Sequence, residues 1–377
     1  LIKIAARICL ALAFFYVYTW NNMKMFLLVI LSATISLISM PLIIKFCKQF
    51  NLYDYSNARK IHSGNIPRLG GIGVFLAYAI TSLLYIFFTN DNNFSREIYF
   101  VIAGSIIFIF AIIDDIFNLH AIIKLLVQLG AVFLVTSHGF RFTQILGWLL
   151  PAPVSYILTF GWILGVINAY NLIDGLDGLC GSLSFTAITT LGIIYLLSGN
   201  NEAILCFVLA AAIFGFLCYN WPPAKLFMGD NGSQFLGFMI ATFPLYTSSD
   251  VFEYNKFLMM LVITAFPVFD TIAAIWRRLR DHRPIMSADR FHLHHKLLNL
   301  GYSKTKALYL IVVMQIILCI IVIISYFLGA KKGSSVLLES LAFVTLFFSI
   351  IHFANKAAGK KMEDKESADD KFSSEKK

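Results

Sequence analysis

Long apolar runs recur along the whole chain, separated by short polar segments. They cover residues 25–47, 70–89, 97–113, 121–137, 154–170, 181–198, 202–219, 233–249, 257–276, 307–328 and 335–354. Runs of this length suit helices that cross a bilayer. The pattern therefore predicts an all-α, polytopic helical membrane protein with about 11 transmembrane helices, one domain over residues 23–354. Ahead of it, Lys3 and Arg7 precede a short apolar run ending near Trp20. Residues 1–22 read either as an extension resembling a signal-peptide core, with Met23 as the true start, or as an extra hydrophobic segment. Residues 355–377 mix charges, carry few apolar side chains and predict a disordered charged tail.

Composition agrees: 59% of residues are hydrophobic, 14% are charged and mean hydropathy is +0.77. In such a chain the net charge of +9 is first a topology signal. Alternate threading puts 48–69, 114–120, 171–180, 220–232, 277–306 and the tail on one side. Leaving out the tail, that side holds thirteen Lys and Arg, against five on the other. The richer side is expected to be cytoplasmic. No basic stripe with interleaved aromatics is present, so no nucleic-acid partner is expected. The six cysteines are scattered without a C-x-x-C pair, and small buried hydrophobes are the expected reading.

The candidate chemistry lies on the predicted cytoplasmic side. Asp114, Asp115, Asp174, Asp177, Asp230 and Asp270 all sit at ends of apolar runs. Carboxylates at membrane depth are expensive and mark function by default. Asp114 and Asp115 are adjacent, which suits Mg²⁺ beside substrate phosphates, or one proton shared between two carboxylates. Asn171, Asp174 and Asp177 are spaced by three, so a helical turn would place them on one face. Asp230 lies between Gly229 and Gly232, leaving room for a metal. His292, His294 and His295 fall within four positions beside Arg290 and Lys296. That cluster could hold Zn²⁺ in principle, but its cations suit a diphosphate better. Lys60 and His62 precede the second run and could contact phosphate. A Gly/Asp turn, a solvated helix end and positive-inside anchoring are the plain alternatives. They do not explain three oxygen side chains in register or the three histidines.

Together these segments resemble the polyprenyl-phosphate N-acetylhexosamine-1-phosphate transferase family over residues 25–325. The resemblance rests on Pro67-Arg-Leu-Gly-Gly71, Asp114-Asp115, Asn171-Leu-Ile-Asp-Gly-Leu-Asp-Gly178, Phe227-Met-Gly-Asp-Asn-Gly-Ser233 and His292-Leu-His-His295. It implies transfer of a sugar 1-phosphate from a UDP-sugar to undecaprenyl phosphate at the cytoplasmic leaflet of a bacterial inner membrane. UMP would be released, and a cell-envelope polysaccharide would be started on its lipid carrier. It implies Mg²⁺, with Mn²⁺ able to substitute, on Asp230 and Asn171. Asp114, Asp115, His292, His294 and His295 are implied as catalytic. Lys60, His62, Asp174, Asp177, Asn220, Asp270 and Arg290 are implied as substrate-binding. It leaves room for a homodimer. Leu293 interrupts the three consecutive histidines of the muramoyl-pentapeptide branch, which points to UDP-N-acetylglucosamine. Asn118 replaces the third Asp of the prenyltransferase-type element. An ion-coupled transporter using intramembrane carboxylates is the alternative. It expects charges near mid-span and an internal repeat, where this chain has charges at span ends. A CDP-alcohol phosphotransferase would continue from Asp-Gly into Ala-Arg, whereas Asp177-Gly is followed by Leu-Cys-Gly. An intramembrane aspartyl protease would need glycine where Phe227 stands.

Overall fold

The structure, a computed structural model, describes residues 23–54, 66–89, 94–117, 119–245, 250–284 and 291–374. The 1–22 segment, Lys60, His62, Asn118 and Arg290 lie outside the described residues. Among the described residues each predicted apolar run falls on helix, the 233–249 run closing in a 3-10 turn at Phe243–Leu245. In chain order the helices are α1 (Met23–Gln49), α2 (Gly70–Thr89), α3 (Phe94–Phe117), α4 (Ala121–Ser137), α5 (Ala152–Ile173), α6 (Leu179–Leu197) and α7 (Ala203–Asn220). Then come α8 (Gly229–Thr242), α9 (Asp250–Ile263), α10 (Ala265–Arg280), the short α11 (Leu293–Asn299), α12 (Lys304–Leu328) and α13 (Ala330–Ser374). Two antiparallel ladders of two residues per strand pair β1 (Tyr53–Asp54) with β2 (Ile66–Pro67) and β3 (Gln144–Ile145) with β4 (Trp148–Leu149).

Among the described residues, eight helices are long and apolar enough to cross a membrane, and the bent α9–α10 pair makes a ninth if counted as one span. The shortfall from the expected eleven lies at α4, with 17 residues, and α8, with 14. At about 1.5 Å per residue neither reaches the roughly 30 Å of a hydrocarbon core. Helix α8 is nonetheless central. α2, α3, α5 and α6 pack around it, and every residue from Asn231 to Thr242 is buried. A short helix inside a ring of longer ones carries its first turn, and Asp230, within the bundle end.

The 257–276 run is broken rather than straight: α9 and α10 meet at an angle of 69°. The cause is local. Pro267 has no N–H to give the carbonyl of Ile263, four residues back. Gln315 on α12, fully buried, supplies the missing donor at 2.7 Å. At the other flank Ser32 and Ser36 of α1 donate to the carbonyls of Val208 and Ala212 on α7. Such side chains substitute for hydrophobic selectivity between helices in lipid. The backbone of 355–374 continues as the end of α13, because its Ala, Lys and Glu are good helix formers despite their polarity.

Loss of the α12 donor should cost more than loss of an α1 hydroxyl. Gln315→Leu orphans a carbonyl with no helical partner, at about 1–3 kcal/mol. Ser32→Ala removes a second bond from a carbonyl that sits inside a regular helix, at about 0.6 kcal/mol. Thermal melting of the purified protein in one detergent should show a clear Tm drop for the first and little change for the second.

Candidate active site

Helix ends converge at one end of the bundle: the C-termini of α3, α5 and α7 and the N-termini of α2, α4 and α8. Their contact begins with backbone. The Gly70 and Gly71 amides donate to the carbonyls of Phe227 and Met228, both at 2.9 Å, and the Phe227 amide donates to Pro67 at 2.7 Å. Two sequence motifs thus interlock. A Cβ on Gly71 would lie 2.3 Å from the Gly232 Cα, and one on Gly229 would lie 2.1 Å from the Arg68 carbonyl oxygen. Gly229 also sits at φ +78°, a region L side chains avoid.

Asp115 closes this joint. Its carboxylate accepts the backbone N–H of Asp230 at 3.2 Å and of Asn231 at 3.0 Å, and the Asn231 side-chain amide at 2.6 Å. Met228, at the start of α8, makes no side-chain cap of its own. Asp115 therefore caps α8 from the end of α3, where the helix dipole favours a negative charge. Arg68 donates to the Asp115 carbonyl and fixes the same joint. The sequence reading gave Asp115 a catalytic part; its oxygens are committed to the α8 terminus.

Asp114 points the other way. One oxygen accepts the Leu119 amide at 2.9 Å, and the other pairs with the Lys124 ammonium. Lys124 Nζ also stands 3.8 Å from an Asp230 oxygen. Burial, then the neighbouring Asp115 charge, pushes the Asp230 carboxyl up to about 6, against the pull of Lys124. Even so, 39% of the Asp230 side chain is exposed, so it faces an open cleft. Asn171 hydrogen-bonds Asp230 and also donates to Ser233 at 3.1 Å. Asp230 and Asn171 thus offer oxygen and amide groups to the cleft, with the Lys124 ammonium beside them. That donor set suits a hard cation which completes its shell with phosphate and water. No group of three or more His, Cys, Asp or Glu residues forms a closed metal cage among the described residues.

The second carboxylate motif is spent mostly on the loops. Asp177 accepts the Ala224 amide at 3.0 Å. Asn220, 4% exposed, accepts the Gly178 amide at 2.9 Å and donates to the Leu226 carbonyl at 2.8 Å. Both hold the 174–178 turn against the 221–228 loop. Asp174 ends α5 and stays partly exposed.

The three histidines stay close together, the His292 and His294 ring centroids being 6.0 Å apart, but they have different partners. Asp270, 1% exposed, binds the His292 ring at 2.8 Å and accepts the Leu293 amide at 2.8 Å. It anchors the start of α11. His294 is buried against Gly175, where a Cβ would come within 2.5 Å of its ring. Burial, then the charge of His295, pushes His294 down to about 3, so it is neutral at physiological pH. Its Nδ1 has no hydrogen-bond partner among the described residues. His295 is half-buried beside it, ring centroids 4.4 Å apart.

Sequence reasoning missed Lys124, Arg68 and Asn231. Lys124 was visible as a lone cation in an apolar run, which is itself a functional flag. Arg68 and Asn231 lay inside motifs whose other members drew the reading.

The glycosyl transferase family 4 profile matches residues 97–248. The chain is 34% identical over 310 residues to a probable undecaprenyl-phosphate N-acetylglucosaminyl 1-phosphate transferase of Bacillus subtilis, covering 78% of this chain and 83% of that protein. It is 32% identical over 278 residues to the undecaprenyl-phosphate alpha-N-acetylglucosaminyl 1-phosphate transferase of Escherichia coli K12, covering 71% and 74%. It is 32% identical over 299 residues to a decaprenyl-phosphate N-acetylglucosaminephosphotransferase of Mycolicibacterium smegmatis, covering 70% and 72%.

The neutral His294 predicts an acid-side liability. Its folded pKa lies below the usual 6.5, so the unfolded chain binds more protons as pH falls from 6.5 toward 3, and stability falls with it. Between pH 7.5 and pH 5 the loss is on the order of 2 kcal/mol. Relative to wild type, His294→Leu should gain Tm as pH is lowered across that window. A constant Tm difference would contradict the assignment.

Proposed function

We propose a reaction from one premise: this chain belongs to glycosyl transferase family 4. It transfers N-acetylglucosamine 1-phosphate from UDP-N-acetylglucosamine to undecaprenyl phosphate, releasing UMP. The observation that carries this reading is the cleft where Asp114, Lys124, Asn171 and Asp230 meet at the ends of α3, α4, α5 and α8. Two anionic substrates must be brought together there, and the cleft combines one fixed cation with a set of oxygen donors. The names of the relatives and the interruption of the histidine run by Leu293 both favour the N-acetylglucosamine donor.

An oxygen of the lipid phosphate attacks the donor phosphorus that bears the sugar. A new P–O bond forms, the bond to the bridging oxygen breaks, and UMP leaves with that oxygen. A phosphomonoester is largely dianionic at neutral pH, its second pKa being about 6, so a strong general base is hardly needed. Asp230 and Asn171 would hold Mg²⁺ (or Mn²⁺), which when bound supplies charge stabilisation on the transferring phosphates. The Lys124 ammonium neutralises phosphate charge, and Asp114 orients it. Asp115, Asn220 and Asp177 keep the three loops in register. His294 packs against Gly175 in the 174–178 turn with His295 beside it, and their ring nitrogens can hydrogen-bond the diphosphate or the sugar. Lys60, His62 and Arg290 remain candidates for the substrate phosphates. The excess of Lys and Arg on the 48–69, 220–232 and 277–306 segments supports a cytoplasmic site in the inner membrane of a bacterium.

Purified full-length protein, given undecaprenyl phosphate, Mg²⁺ and a panel of UDP-sugars, should release UMP fastest with UDP-N-acetylglucosamine. Asp230→Asn should cut kcat by about 10²–10³ or more with the folded protein retained. Near-normal turnover at saturating Mg²⁺ would remove the metal assignment. For topology, a single cysteine at Lys225 should resist an impermeant thiol reagent in intact cells, while one at Lys332 reacts. The reverse pattern would invert the threading.

A further inference from the structure

Below the cleft lies a second polar layer that the proposed chemistry does not use. Gln128 on α4 donates to Gln234 on α8 at 3.1 Å, and Asn168 on α5 donates to Gln128 at 3.1 Å. Gln128 and Gln234 are 4% and 7% exposed. The spacing is regular. Gln128 lies four residues beyond Lys124 on α4, Gln234 four beyond Asp230 on α8, and Asn168 three before Asn171 on α5. Three of the four helices that carry a cleft residue, α4, α5 and α8, thus carry an amide one turn deeper on the same face.

The need for such a layer follows from where α4 sits. It packs mainly on α3 and α5, and Ile122, Leu126 and Phe133 are exposed. In a membrane, apolar packing sets helix rotation weakly, because lipid is as apolar as the side chains. A buried amide hydrogen bond is directional, and leaving it unmade is costly. Rotation of α4 would carry Lys124 away from Asp114 and Asp230.

We propose that Gln128, with Gln234 as its partner, is a positioning residue whose hydrogen bond sets the rotation of α4 and thereby holds Lys124 between Asp114 and Asp230. Its kinetic consequence rests on the proposed sugar-phosphate transfer. The geometric claim does not.

The test separates positioning from mere stability. Gln128→Leu leaves the Gln234 amide without this partner and should lower both Tm and kcat, the latter by about 10–10². Gln128→Leu/Gln234→Leu removes both amides. Its Tm should return toward wild type while kcat stays low, with KM for the UDP-sugar near its wild-type value. Recovery of kcat together with Tm, or full kcat in the single variant, would overturn the proposal. A second measurement needs no activity. In a cysteine-free background, Lys124→Cys/Asp230→Cys should be bridged by a short bifunctional thiol reagent. The double leucine change should slow that bridging several-fold, and an unchanged rate would overturn the proposal. If the wild type releases no UMP, the proposed reaction fails, and the bridging measurement still decides this one.

Discussion

The buried amino end of α8 is the constraint on which the rest depends. A helix that starts inside protein leaves its first N–H groups without partners, and leaving them unmet would cost more than the helix gains by packing. Asp115 meets that need from the end of α3. The Pro67–Gly71 turn meets the adjoining loop by backbone bonds, and glycine at two positions lets the strands of chain touch. Once this joint is closed, Asp230 is left as the α8 carboxylate turned to the cleft, with Lys124 and Asn171 beside it.

Charge is divided accordingly. Of the carboxylates drawn together here, Asp115 and Asp177 serve backbone amides, and Asp270 serves a histidine and an amide. Asp114 and Asp230 share the Lys124 ammonium. A carboxylate that fixes a helix terminus does not also have to touch substrate to be indispensable. Loss of function on changing such a residue would not, by itself, reveal a chemical role. The amide layer beneath adds a second register, in which hydrogen bonds do what apolar packing against lipid cannot.

The helices were legible because long apolar runs have few alternatives in a membrane. The site was legible in part, because costly groups at run ends stand out, and Asp114, Asn171 and Asp230 do meet. What the sequence could not display was direction. Asp115 and Asp114 are neighbours in the chain, yet one faces a helix terminus and the other an ammonium. The three close-set histidines looked like one donor cluster, but Asp270 turns His292 inward and Gly175 receives His294. The α9–α10 bend was foreshadowed by Pro267. Its satisfaction by Gln315, 52 residues away, was not.

The central claim is that Asp115 acts on the α8 terminus rather than on substrate. Hydrogen–deuterium exchange of wild type and Asp115→Asn, both without substrate, tests it directly. The account predicts faster exchange confined to the amides of residues 227–233 and 66–71, where the joint is held. Unchanged exchange in both segments, together with lost turnover, would contradict it and return Asp115 to the chemistry of the cleft.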